Sequence, residues 1–232
     1  MTDSSTWTLA IDTSSIVCCA LARDGELVAE QALADTRAHT EALMPMVVEL
    51  CGRAGIGVRD INDVVVGVGP GPFTGLRVGI VTAHTIATLS GVTARGVCSL
   101  DVIARQAVEE GVVPEGSEFL AVLDARRKEL YWARYAADGV RVDGPHVSAP
   151  EQVPTLPATG PGALLYDLPL FGATTLSPAV MALHGHEMPD LGLEALYLRK
   201  PDAAVPTTRK STLLPQRPLR SRRRRPEVGQ QQ

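Results

Sequence analysis

Aromatic residues are scarce, 4% of the 232, and long apolar runs are missing. Nothing approaches the ~20 consecutive apolar residues that a helix needs to span a bilayer, which argues against a membrane protein. The opening "MTDSSTW" lacks the basic start and apolar block of a secretion signal. Cysteine is sparse as well. Cys18, Cys19, Cys51 and Cys98 form no CxxC pair, and the adjacent Cys18 and Cys19 would point to opposite faces of a strand, where they cannot bond to each other. Buried free thiols in a reducing, cytoplasmic setting are the expectation.

What is present is enough for a core: 45% of residues are hydrophobic, sufficient for one domain or two small lobes. The net charge of −4 is unevenly spread. From Thr207 onward eight cations face Glu227 alone, a net +7, so residues 1–206 carry −11. The body is acidic and the tail basic.

The first 33 residues read as three strands, Trp7–Ile11, Ile16–Ala22 and Glu26–Leu33, with Asp24–Gly25 as a hairpin turn. A helix follows, with Leu43, Met46, Val47, Leu50 and Ala54 on one face and Pro45 either near its first turn or bending it just beyond. "DVVVGVG" reads as a buried strand, residues 75–90 as a long helix, "VTARGVCSL" as a strand and "LDVIARQAVEEG" as a helix. The opening pattern then recurs: an apolar strand ends in Asp124, and a hairpin follows at Asp138–Gly139. Two three-strand meanders 112 residues apart suggest an internal duplication. Beyond them a strand is expected over about Gly162–Tyr166 and a helix over about Pro178–His184. The reading divides the chain into a first lobe (1–104), a smaller second lobe (105–206) and a disordered basic tail (207–232).

"GVGPGPFTGLRVG" (Gly67–Gly79) invites a phosphate-loop reading. It fails the Walker pattern, which requires a lysine, and fails the GxGxxG spacing because Thr74 occupies the third glycine position. Pro70 and Pro72 also remove two of the backbone N–H donors that a phosphate cradle uses. Thr74 is a candidate N-cap for a helix starting at Gly75, and Arg77 could assist an anion there. Within the helix, Gly75, Gly79, Ala83 and Ala87 form a row at four-residue spacing, flanked by Leu76 and Ile80. Two glycines inside a helix cost roughly 1 kcal/mol each relative to alanine, so the row should permit a close approach. It is read as a docking face for another subunit, with packing inside the chain as the alternative.

"LAIDTSS", "RAHTEALMPMV", "GVGPGPFTGLRVGI", "GVCSLDVIA", "LDARRKELYWARY" and "YLRKPDA" occur in that order. Across residues 7–205 this resembles the bacterial TsaB (YeaZ) family of tRNA threonylcarbamoyladenosine synthesis. The resemblance implies an α/β fold of the actin-like ASKHA (ribonuclease H-like) type, with two duplicated lobes. It implies a noncatalytic subunit that pairs with the catalytic paralogue TsaD, joins the ATPase TsaE, meets tRNA through the complex and forms a homodimer when alone. No cofactor or metal is expected. The HxxxH metal pair of the catalytic paralogue is missing, since His39 is followed four residues later by Leu43. Asp12, Thr13 and Ser14, with Thr74 and Arg77, keep the look of a vestigial nucleotide or anion site, and Asp124 holds the equivalent place in the second repeat. The family loop usually carries serine where this chain has Pro72. The competing reading is a free-standing enzyme, either an ATP-dependent phosphotransferase or a glycoprotease-like metallopeptidase.

Overall fold

The computed structural model describes residues 5–33 and 39–199, with the backbone alone for residues 39 and 40. The basic tail, and the side chain of His39, lie outside the described residues.

Three antiparallel strands come first: β1 (Trp7–Asp12), β2 (Val17–Arg23) and β3 (Glu26–Leu33). Asp24 and Gly25 both take positive φ, 51° and 80°, the backbone that a tight two-residue hairpin requires. Helix α1 (His39–Ala54) runs on through Pro45, which lies well inside it rather than in its first turn. Strand β4 (Asp63–Gly67) pairs parallel with β1, and β5 (Ala94–Val97) pairs parallel with β4. The order is β3-β2-β1-β4-β5. Between β4 and β5 lies α2 (Phe73–Ser90), which ends at Gly91, a left-handed C-terminal cap.

The strand alternation divides two cores. Leu9, Ile11, Cys19 and Leu21 face one side, with Leu43, Val47 and Leu50 of α1 and Leu76, Ile80 and Ile86 of α2. Ala10, Cys18, Ala20 and Ala22 face the other, toward α3 (Ser99–Glu109) and the second sheet. Cys18 and Cys19 therefore sit in different cores, and all four cysteines are buried and outside any disulfide. Burial pushes Cys19 and Cys98 up to about 12.

The second sheet has the order β8-β7-β6-β9, from β6 (Phe119–Asp124), β7 (Leu130–Tyr135), β8 (Arg141–Ser148) and the two-residue β9 (Ala158–Thr159). β6 is antiparallel to β7 and parallel to β9, as β1 is to β2 and β4. The repeat is thus real but shortened. The expected strand at Gly162–Tyr166 is instead a short helix, α4 (Pro161–Leu165). Gly160, at φ 99°, turns the chain, and Pro161 supplies a ready-made first helical position. A β-carbon on Gly162 would stand 2.9 Å from the Leu130 side chain and 3.1 Å from the Leu123 backbone, so the helix lies tight on the β6–β7 hairpin. The helix expected at Pro178–His184 is present as α5, with the Ser177 hydroxyl accepting from the Val180 N–H.

Tyr135, wholly buried, ties the two repeats together through its hydroxyl, which donates to Asp101 of α3 at 2.7 Å. Beyond α5, the chain returns along the free edge of β5. Leu191 N–H donates to the Gly96 carbonyl at 2.8 Å, and Leu196 N–H to that of Val68 at 2.8 Å. The Gly192 carbonyl would lie 1.8 Å from any β-carbon on Gly96, so glycine is what lets this strap close the edge.

Candidate functional site

β1 and β4 run side by side and end together, which brings the Asp12–Ser15 turn against the glycine loop. Asp12 is completely buried. Its Oδ1 accepts from the Ser14 N–H at 2.7 Å and the Ser14 hydroxyl at 2.6 Å, and its Oδ2 from the Ser99 hydroxyl at 2.6 Å. Burial raises its carboxyl above the usual range, opposed in part by the bonds from Ser14 and Ser99. Gly67 closes the remaining side: a β-carbon there would stand 1.7 Å from Asp Oδ2 and 2.9 Å from the Ser99 hydroxyl. At Gly71 the loop backbone presses on the turn itself, and an added β-carbon would lie 2.8 Å from Ser14 Cα.

Thr13 is also buried. Its hydroxyl donates to the Gly75 carbonyl at 2.8 Å, and a β-carbon on Gly79 would meet that oxygen at 2.3 Å. Gly75, Leu76, Gly79, Ile80, Ala83 and Ala87 are all buried within the chain. The small-residue row is therefore packed inside the molecule, against the β1 end and the sheet, and is not a docking face. The close approach it permits is to Thr13. Nor is Thr74 an N-cap. The helix starts one residue before it, Pro72 takes the cap position with extended backbone (φ −63°, ψ 133°), and no side chain caps it.

The expected anion set splits in two. Asp12 and Thr13 are committed to the interior and Ser14 is nearly so, reaching only the wall of a cleft, whereas Thr74 and Arg77 are exposed. The Arg77 guanidinium lies 3.9 Å from the Phe73 ring centroid, and its Nε donates to the Tyr197 hydroxyl at 3.0 Å. Phe73 and Tyr197 stack at 4.9 Å. This cation–aromatic cluster, whose Tyr197 lies 120 residues beyond Arg77 and so could not be found from spacing, opens onto a shallow depression with Thr74, Val78, Val81 and Thr82. Val81, at 62% exposure, is its most exposed large apolar side chain.

A cleft of about 440 Å³ lies on the other side of the turn. Ser14, Ser15 and Pro72 form one wall, Leu164 and Leu165 of α4 another, and Asp124, Arg126, Thr174 and Thr175 supply its polar groups. Asp124 repeats the Asp12 turn, its Oδ1 accepting from the N–H two residues on, that of Arg126, at 2.8 Å. Its surroundings differ, because it is partly exposed and Tyr166 donates to it at 3.3 Å. Among the described residues no group of three His, Cys, Asp or Glu side chains is placed to hold a metal.

The family described as TsaD, tRNA N6-adenosine threonylcarbamoyltransferase, matches residues 26–175. An uncharacterized protein of Mycobacterium tuberculosis is 42% identical over 205 residues, covering 84% of this chain and 92% of that one. The tRNA threonylcarbamoyladenosine biosynthesis protein TsaB of Escherichia coli is 38% identical over 131 residues, covering 56% of this chain and 55% of the other. The match thus spans about half the length of E. coli TsaB, as it does for an uncharacterized Mycobacterium leprae protein at 55%. A Pseudomonas aeruginosa structure, described as an uncharacterized protein with similarity to peptidase YeaZ, superposes with a TM-score of 0.68 at 25% identity, covering 84% of this chain and all of that one. The duplicated sheets are those of the actin-like ASKHA fold, and the chain belongs to the TsaB (YeaZ) family.

Proposed function

We propose that this chain is a noncatalytic subunit of the cytoplasmic machinery that transfers a threonylcarbamoyl group to the adenosine 3′ of the anticodon in tRNA. In this reading it pairs with the catalytic paralogue TsaD, works with the ATPase TsaE and self-associates when alone. The observation that carries the noncatalytic part is the sealing of Asp12. A carboxylate that served metal-bound nucleotide would need an open coordination side. Here both oxygens accept from serines, and Gly67 closes what is left.

Docking is assigned to the outer side of α2, where Phe73, Arg77 and Val81 are exposed. Phenylalanine and arginine are both enriched in protein interfaces, and the exposed valine adds apolar area beside the pair. The occupant is the catalytic paralogue. TsaD, TsaE, ATP, threonine, bicarbonate, the adenylate-forming enzyme and tRNA are combined with and without the full chain. The expected result is a large gain in modified adenosine on adding the chain. No gain, or tight Mg-ATP binding or peptide hydrolysis by the chain alone, overturns the reading.

A further inference from the structure

Arg77, on the outer side of α2, is held by neutral groups. Its guanidinium lies 3.9 Å from the Phe73 ring centroid, and its Nε donates to the Tyr197 hydroxyl at 3.0 Å. Other arginines of the body are engaged differently. Arg53, Arg105, Arg134 and Arg141 each lie at ion-pair distance from a carboxylate, and Arg59 and Arg95 donate to backbone carbonyls. Arg77 has no carboxylate at that distance among the described residues, although residues 1–206 carry a net charge of −11.

The strap that supplies Tyr197 is fastened on both sides of it. Leu196 N–H donates to the Val68 carbonyl at 2.8 Å, and the Arg199 guanidinium donates to the Ala125 carbonyl at 3.1 Å. The Tyr197 ring also stacks on Phe73, with 4.9 Å between centroids. A free surface arginine loses rotamer entropy when a partner fixes it. Here the ring and the phenol restrict Arg77 before any partner arrives. With Nε bound to Tyr197, both Nη groups are left for an acceptor, and a carboxylate meets that fork with two parallel bonds.

The surroundings choose between a protein and a nucleic acid. An RNA backbone is bound by several cations at once. Among the described residues lining this depression Arg77 alone is charged, and it is set among Thr74, Val78, Val81 and Thr82. One cation beside exposed apolar side chains suits a protein surface that carries a carboxylate within an apolar patch.

We propose that Arg77 anchors an aspartate or glutamate of the catalytic paralogue, and that Tyr197 is the positioning residue that aims it. The inference rests on the docking reading above and deepens it, giving that contact its chemistry.

The test uses the full-length chain and the full-length paralogue. R77K keeps the charge and supplies an amine, which carbodiimide condenses with an adjacent carboxylate to an amide with loss of water. Mass spectrometry of the treated R77K complex is expected to find position 77 joined to an aspartate or glutamate of the paralogue. In titration calorimetry R77Q should bind the paralogue at least about tenfold more weakly, and its affinity should fall less between about 50 and about 200 mM salt. Arg77 is exposed, so both variants should melt with the unaltered chain. Y197F keeps the stacked ring and loses the hydroxyl, and should bind about threefold more weakly. On the R77Q background Y197F should have no further effect, because its role runs through Arg77, whereas a purely structural loss would persist there. A complex that forms without any link at position 77, or unaltered affinity in R77Q, overturns the proposal. An additive Y197F effect overturns the positioning role. An R77Q defect in tRNA binding with paralogue binding intact also overturns the proposal and makes the cation an RNA contact. Failure of the docking reading shows separately, as no association of the unaltered chain with the paralogue.

Discussion

The Thr13 hydroxyl lies directly under Gly79, bonded to the Gly75 carbonyl at 2.8 Å, where a β-carbon on Gly79 would stand only 2.3 Å from it. This contact explains why the helix carries glycine at position 79. The polar side chain that ends β1 reaches into the helix backbone, and the helix must come close enough to receive it.

Replacing Gly79 with alanine sets two effects against each other. Helix propensity favours alanine by about 1 kcal/mol. Overpacking against Thr13 costs about 1–3 kcal/mol, and displacing the Thr13–Gly75 bond about 0.5–1.5 kcal/mol more. A net destabilisation of about 0.5–3.5 kcal/mol is expected by urea unfolding. Thr13→Ala on the same background should recover most of it by removing the clashing atoms. A Gly79→Ala chain as stable as the unaltered one would show that the helix has room to spare.

The outer side of α2 should behave in the opposite way. Val81 is 62% exposed, so Val81→Asp is expected to change folding stability by no more than about 0.5 kcal/mol. It should nevertheless weaken association with the catalytic paralogue at least tenfold in titration calorimetry, because a charge is placed beside the Phe73–Arg77 pair. Unaltered affinity would move the docking surface elsewhere.

Tyr135→Phe tests the tie between the repeats. The phenol is buried and donates to Asp101, which is itself buried, with Arg141 Nε at 3.6 Å as its charged neighbour. Losing that donor leaves Asp101 one bond short, at a cost of about 1–3 kcal/mol. Double-jump unfolding or calorimetry should show the loss as a lower melting temperature. No change would mean that water or Arg141 takes the place of the phenol.

Local signals explain which features could be read from residue order. The meanders are legible because Asp24–Gly25 and Asp138–Gly139 punctuate alternating strands, and Gly139, at φ 83°, does turn the second hairpin. The four-residue spacing of Gly75, Gly79, Ala83 and Ala87 shows that they share a face. Which neighbour covers that face depends on Thr13, more than sixty residues earlier, and spacing carries no information about it. Thr74 looked like a cap by residue type, but Pro72 had already set the extended backbone that starts the helix. The 440 Å³ cleft draws its walls from five separate stretches of chain, so no motif could announce it. The positive φ of Arg126, Arg127 and Lys128 between β6 and β7, 62°, 54° and 61°, could not be read from "ARRKE", because it is a property of the folded hairpin alone.

Asp12→Asn separates a structural carboxylate from a chemical one. The amide oxygen can keep accepting from the Ser14 N–H and hydroxyl. The amide NH2 can donate to the Ser99 hydroxyl, which then reverses its role. Burial without a cationic partner raises the Asp12 carboxyl in the folded chain above its unfolded value of about 3.9. The folded state therefore holds this proton more tightly than the unfolded state does. The stability the group contributes is fully present below the unfolded value and is lost as pH rises through the folded one. Asparagine carries no such loss. The variant should match the unaltered chain at pH 3.5 or below and become relatively more stable as pH rises toward 7, with Asp101 cancelling because both chains carry it. Stimulation of the catalytic paralogue should persist. A variant that folds well yet no longer supports tRNA modification would mean that Asp12 takes part in chemistry after all.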